Sequence, residues 1–163
     1  MTDQQIEVRR ARPGDAPTIA EIWRTGWNDG HLGNVPDDLV TARTAESFHT
    51  RAAQRVDDTT VALAGGEIAG FVMVHADEVD QVYVAAAHRG AGIADLLLDD
   101  AERQVGGAGH ATAWLAVVPG NSRARRFYER RGWTDTGPFV HSAPGAHGPI
   151  PVPCHRYVKD VRR

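Results

Sequence analysis

The chain has 163 residues, 42% of them apolar, a formal net charge of −3 and a single cysteine, Cys154. That length suits one domain, residues 1–163, with a proper core; the slight negative charge gives no electrostatic case for nucleic acid, and one cysteine excludes an internal disulfide framework. No apolar run reaches the ~18 residues of a membrane span and the polar residues 1–5 lack a signal-peptide core, so a cytoplasmic protein is expected.

Residues 6–11 alternate as a strand does, and Pro13-Gly14-Asp15 breaks the run. Asp15 is placed to cap a helix to about Trp27, with Ile19, Ile22, Trp23 and Trp27 at helical spacing. Trp23 reads as core. Trp27 ends that helix beside a turn-rich loop, 28–36, and it and His31 in the loop are candidate pocket residues. A second helical stretch is predicted over about 37–55. Strands follow at 59–64 and 68–75, joined by Gly65-Gly66, a hairpin signal. The next strand is 78–84. Strict alternation puts Glu78, Asp80, Val82 and Val84 on one face. Glu78 and Asp80 are then candidates for a general base.

The stretch 82–98 organises the rest. An apolar strand end, Val82-Tyr83-Val84, leads through a short loop to Arg89-Gly90-Ala91-Gly92-Ile93-Ala94, and a helix with an apolar stripe starts at once. Strand, glycine turn and helix together aim unpartnered N–H groups at one spot, and the helix dipole adds positive potential there. Such a spot suits phosphate. The third glycine of a dinucleotide fingerprint is missing, since Asp95 occupies its place, and so is the Gly-Lys-Ser/Thr of a P-loop. Ile93, Leu97, Ala101 and Val105 form the helix's apolar stripe, and Gly106-Gly107 ends it. A strand at 112–118 precedes Pro119-Gly120-Asn121, with Asn121 as N-cap of a helix to about Arg131. Strands at 133–141 and 152–159 close the chain around a Pro- and Gly-rich connection. Seven strands and four helices in this order predict an α/β (α+β) domain. Its sheet is mixed and mostly antiparallel, parallel where a helix links two strands.

Two motifs carry a family resemblance. Arg89-Gly90-Ala91-Gly92-Ile93-Ala94 resembles the coenzyme A loop of the GCN5-related N-acetyltransferases (GNAT), Arg/Gln-x-x-Gly-x-Gly/Ala. Asn121, Ala124, Phe127-Tyr128 and Gly132-Trp133 resemble that family's second signature. The resemblance covers roughly 78–133. It implies acetyl transfer from acetyl-coenzyme A to a primary amine, with the cofactor held between the fourth and fifth strands. It also implies roles. Backbone groups of Gly90, Ala91, Gly92, Ile93 and Ala94 receive the pyrophosphate, and Arg89 adds charge. Val82 and Val84 pair with the pantetheine arm, and the Val84 N–H polarises the acetyl carbonyl. Asn121 reaches the arm. Tyr128 is the acid that protonates the thiolate: a phenol near pKa ~10 is protonated at neutral pH and a thiol near ~8.5 is its acceptor. Residues 28–55 would close over the acceptor, which brings Trp27 and His31 to it.

No motif carries the base, so Glu78, Asp80 and, less directly, His31 remain open. Ala91 and Asp95 depart from the family's more basic loop, and an acid in the first turn repels phosphate there. Basic residues of the 121–131 helix are available to compensate. His141, His147 and His155 near Cys154 match no zinc spacing, so no metal is expected. Two other readings stay open: a coenzyme A- or acyl-CoA-binding sensor or docking module without turnover, and acetylation of a protein N-terminus or lysine. The aromatic and polar entry loop favours a small-molecule amine. A homodimer is compatible with the sheet edges.

Overall fold

The computed structural model describes residues 5–162; residues 1–4 of the polar start lie outside the described residues. Its strands are β1 (Ile6–Arg10), β2 (Thr59–Ala64), β3 (Glu67–His75), β4 (Glu78–Val84), β5 (Thr112–Val117), β6 (Thr134–Ala143) and β7 (Ile150–Asp160). Its helices are α1 (Ala16–His31), α2 (Asp37–Ala42), α3 (Ala45–Gln54), α4 (Ile93–Gly107) and α5 (Ser122–Arg130). The strands form one sheet in the order β1-β2-β3-β4-β5-β7-β6. Every pairing is antiparallel except β4 with β5, which α4 connects. That parallel pair meets at a single position, Glu78 opposite Trp114.

Both faces of the sheet's centre are covered. Along β2, Val61 and Leu63 join α1, α3, Phe71 and Met73 in one apolar cluster. Ala62 and Ala64 face the other way, into a second cluster with Val72 and α4. The small alanines let α4 lie close, and its stripe Ile93, Leu97, Leu98, Ala101 and Val105 is wholly buried. Burial of Leu97 or Leu98 contributes ~1.5–3 kcal/mol each.

Several local expectations change. The helical stretch 37–55 is two helices, because Thr44 accepts the Ser47 N–H at 3.1 Å and starts a new one. Helix α1 continues past Trp27 to His31, so His31 is helical rather than in a loop. Asp15 does not cap α1. Its carboxylate reaches back to the Arg12 N–H and the Arg9 guanidinium, both at 2.8 Å. The last hairpin is longer than the alternation indicated, which shortens its connection to residues 144–149.

The largest correction concerns β4. Met73 pairs with Gln81 but Val74 pairs with Val79, so Asp80 is an extra residue in the ladder. This bulge breaks the alternation. Val79, Val82 and Val84 pack into the α4 cluster, whereas Tyr83 packs into the α1 cluster. Glu78 and Asp80 therefore do not share the face of the Val82 and Val84 side chains.

Candidate active site

A cavity of about 620 Å³ lies where β4 and β5 part. Gln81, Val82 and Tyr83 line it from one strand and Ala116 and Val117 from the other. The β3–β4 ladder fixes what β4 offers. The Ala85 N–H donates to the Ala69 carbonyl at 2.7 Å. In an antiparallel ladder such bonded pairs alternate with unbonded ones. The N–H and C=O groups of Val84 and Val82, opposite Gly70 and Val72, therefore point away from β3 and into the gap toward β5.

Beyond Val84 the chain makes the glycine turn. Gly90 and Gly92 sit at φ +84° and +78°, and an added Cβ at either would meet nothing within 4 Å. Only glycine takes these dihedrals without strain, and the open space keeps the backbone approachable. Gly92 caps α4, whose first N–H groups have no partner inside the helix. Its first intrahelical bond runs from the Leu96 N–H to the Gly92 carbonyl at 3.2 Å. Asp95, an acid in this first turn, lies 3.6 Å from Arg131, which also pairs with Asp99. That partly offsets its negative charge. Arg89 donates to Asp29 at 2.8 Å. The turn Arg89–Ala94 and Val84 lie outside the cavity lining itself, continuing from its β4 wall.

Helix α5 supplies the opposite wall. Asn121 accepts the Ala124 N–H at 3.2 Å through Oδ1, which leaves its amide NH2 free of that cap. Tyr128 lies one helical turn beyond Ala124, and all three line the cavity. Its ring packs edge-on to Phe127 and Trp133. Burial raises the phenol above its ordinary value, so it stays protonated. Among the described residues nothing hydrogen-bonds its hydroxyl. Arg125 is tied to Tyr157, Pro119 and Asp135 instead of being free for a ligand.

The far end of the cavity is built by α1, α2, α3 and the last hairpin. Trp27 and His31 stack with ring centroids 4.7 Å apart, and the His31 Nδ1–H donates to the Trp27 carbonyl at 3.0 Å. Burial pushes His31 down to about 4, which keeps it neutral. Asp80 pairs with Arg55, which also reaches Asp58 at 3.4 Å. Glu78 lies 3.5 Å from His141 Nε2 and raises that imidazole's pKa. Cys154 is buried at the wall, its thiol pushed up to about 11.

The structure thus brings Trp27, His31, Glu78, Asp80, Val82, Asn121 and Tyr128 to one cavity. Sequence reasoning missed Arg43, Arg51 and His141, which line it too. Arg51 and Arg55 at i, i+4 were visible as one helix face, but nothing said which way that face turned. His155, weighed with His141 for metal, pairs with Asp135 at 2.9 Å. Among the described residues no three His, Cys, Asp or Glu side chains cluster as a metal site. No described helix is long and apolar enough to cross a membrane.

Residues 18–133 match the profile of the acetyltransferase (GNAT) family. No curated protein sequence matches the chain. Solved structures share the fold at low identity. A GCN5-related N-acetyltransferase structure from Rhodopseudomonas palustris has a TM-score of 0.74 at 19% identity, covering 98% of both chains. PaiA N-acetyltransferase from Thermoplasma acidophilum, in complex with coenzyme A, has a TM-score of 0.71 at 20% identity, covering 96% of this chain and 99% of its own. YncA from Salmonella typhimurium, with its cofactor acetyl-CoA, has a TM-score of 0.69 at 17% identity over 98% and 95%.

Proposed function

The chain belongs to the acetyltransferase (GNAT) family, and from that footing we propose that it moves the acetyl group of acetyl-coenzyme A to a primary amine of a small molecule, by direct attack with both substrates bound. The observation that carries this reading is the parting of β4 and β5. It leaves the polar backbone of Val82 and Val84 turned into the gap toward β5, where Val82 lines the cavity and Val84 continues that wall, and Tyr128 lines the cavity from the other side. The coenzyme A and acetyl-CoA held by the two similar structures support it.

In this reading the pantetheine arm runs along β4 as an added strand, bonded to Val82 and Val84, with Asn121 reaching it from α5. Backbone N–H groups of Gly90, Ala91, Gly92, Ile93 and Ala94 take the pyrophosphate, and Arg89 exchanges Asp29 for it. The Val84 N–H meets the oxyanion that forms on the acetyl carbonyl. The neutral amine attacks that carbon, the new C–N bond forms and the C–S bond breaks. Tyr128 gives its proton to the departing thiolate. Glu78 takes the proton lost by the amine, directly or through water. Asp80 is the second candidate, and its engagement by Arg55 favours Glu78.

Two observations support the finer points. Cys154, the only thiol in the chain, is kept protonated by burial, which argues against an acetyl-enzyme and for direct transfer. The acceptor end is walled by three helices and a hairpin, which suits a small molecule better than a peptide lying in an open groove.

Calorimetric titration with acetyl-coenzyme A, followed by thiol release across small amines, peptides and proteins, tests the reading. Binding with release on small amines alone is expected. Binding with release only on peptides moves the acceptor to a protein. Binding with no release on any of them turns the protein into a sensor.

A further inference from the structure

The acceptor end of the cavity holds more positive charge than its acids engage. Arg55 is shared by Asp80 and Asp58, and Glu78 pairs with His141. Arg43 and Arg51 are left over. Arg43 follows α2, and its Nε is buried without a hydrogen-bond partner. Arg51, on α3, lies with its guanidinium carbon 4.4 Å from the centre of the Trp23 ring. That stacking holds the guanidinium's orientation and leaves its edge N–H groups for another partner. Among the described residues, neither guanidinium has a hydrogen bond or an ion pair. Both line the cavity.

Two neighbouring, partly buried cations without a counter-charge are costly. The strain is felt: burial first, and then Arg43, lowers Arg51 to about 10. The acid that acts on Arg51 is Asp80, which Arg55 already engages. His31 is held neutral, so it adds no competing charge. A guanidinium is a flat fork of donors matched to an oxyanion, and two of them make a strong site for one.

Resting on the acetyltransferase reading, we propose that Arg43 and Arg51 bind an oxyanionic group on the acceptor, so that the substrate is an amine carrying a carboxylate or a phosphonate, a molecule of amino-acid type. The bound anion supplies the hydrogen bonds and counter-charge that the two guanidiniums lack. It also anchors the acceptor at the end away from Tyr128's α5 wall.

The test pairs each amino acid with the amine left when its carboxyl is removed, and with the matching aminophosphonate, in the thiol-release assay. The anionic member is expected to be preferred by roughly 10- to 100-fold in kcat/KM, the worth of charge-assisted hydrogen bonds. Comparing carboxylate with phosphonate tells which anion fits. Arg51→Gln and Arg43→Gln should each pull the preference toward one, while affinity for acetyl-coenzyme A, read by calorimetry, reports that the variants are folded. Calorimetry with coenzyme A and the N-acetylated members of each pair reads the same preference without turnover. If acetyl-coenzyme A binds but the anionic members show no advantage in turnover or product binding, the anion site is overturned and the acetyltransferase reading stands. If acetyl-coenzyme A does not bind and no amine releases thiol, the acetyltransferase reading fails and takes the anion site with it.

Discussion

The proposed cofactor site, which continues from the cavity's β4 wall, is built of backbone; the proposed acceptor end is built of charged side chains. The first end is a strand edge, a pair of glycines and a helix start, all contiguous from Val82 to Ile93. Its polar groups, the Arg89 side chain apart, are fixed by ladder and helix geometry, so substitution of the other side chains changes little there unless it changes the backbone. The second end gathers Trp27, His31, Arg43, Arg51, Asp80 and His141 from four separate stretches. Its properties rest on which charges pair and which do not. A site built this way can keep one cosubstrate while its acceptor changes, because the two demands fall on different atoms.

The largest expected separation between the ends comes from the residue that serves the chemistry of both. Tyr128→Phe removes the proposed acid for the thiolate and leaves the wall in place; turnover should fall ~10²- to 10⁴-fold with acetyl-coenzyme A affinity little changed. Equal turnover in the variant removes the acid role. The next effect belongs to the acceptor end alone and is set by pH. His31 is held at about 4 by burial, below its unfolded value. Between about pH 6.5 and 4 the unfolded chain binds a proton that the folded chain refuses, so stability is lost as pH falls through that window. The loss is on the order of 3 kcal/mol at most. Denaturant unfolding at pH 7 and 4.5 measures it, and His31→Gln should flatten the dependence. His141 runs the other way. Glu78 raises its pKa, so its contribution is complete below about pH 6.5 and fades as pH climbs through the raised value.

A smaller effect probes the backbone end. Gly92→Val forces a branched side chain to φ +78°, at a cost of about 1–3 kcal/mol. The backbone can relieve this only by leaving the dihedrals that aim the α4 start. Acetyl-coenzyme A affinity should drop by about tenfold or more, since ~1.4 kcal/mol is a factor of ten. Unchanged affinity in calorimetry would mean the turn does not hold the phosphates. Gly14, in a short helical turn with ordinary dihedrals and open space about it, is the matched control. Gly14→Ala should move neither affinity nor turnover measurably.

The same contrast explains what could be read from residues alone. The order of strands and helices and the glycine turn were legible because each is a local pattern: alternation, helical spacing, caps, two glycines before an apolar stripe. The α4 stripe is buried as its spacing indicated. The acceptor end was not legible in the same way. Periodicity cannot foresee an extra residue in a ladder, so the bulge at Asp80 turned Glu78 and Asp80 away from the side chains of Val82 and Val84. Nor could it foresee that the chain would break at Arg43-Thr44. Without that break the relation of Arg43 to Arg51 is one of helical phase; with it, tertiary packing decides where both point. Trp27 was visible as a helix end and His31 as a loop residue, but their stacking depends on α1 continuing one more turn.

The single bridge between Glu78 and Trp114 gives the sheet a fault line. Two blocks of strands, β1–β4 and β5–β7, are each laddered strand to strand, yet across the middle they are joined largely by apolar side chains, on one face by those packed on α4, which acts as a splint. Amide hydrogens of Val82 and Val84, though mid-sheet, should exchange with solvent faster than those of Tyr83 beside them. A molecule that spans the gap should slow them and stiffen the whole. By mass action, a ligand at a hundred times its Kd adds ~2.7 kcal/mol to folding. With acetyl-coenzyme A as the proposed ligand, the protein's resistance to heat and proteolysis becomes a gauge of how much thioester is at hand, and mass-spectrometric hydrogen exchange with and without acetyl-coenzyme A would read that gauge directly.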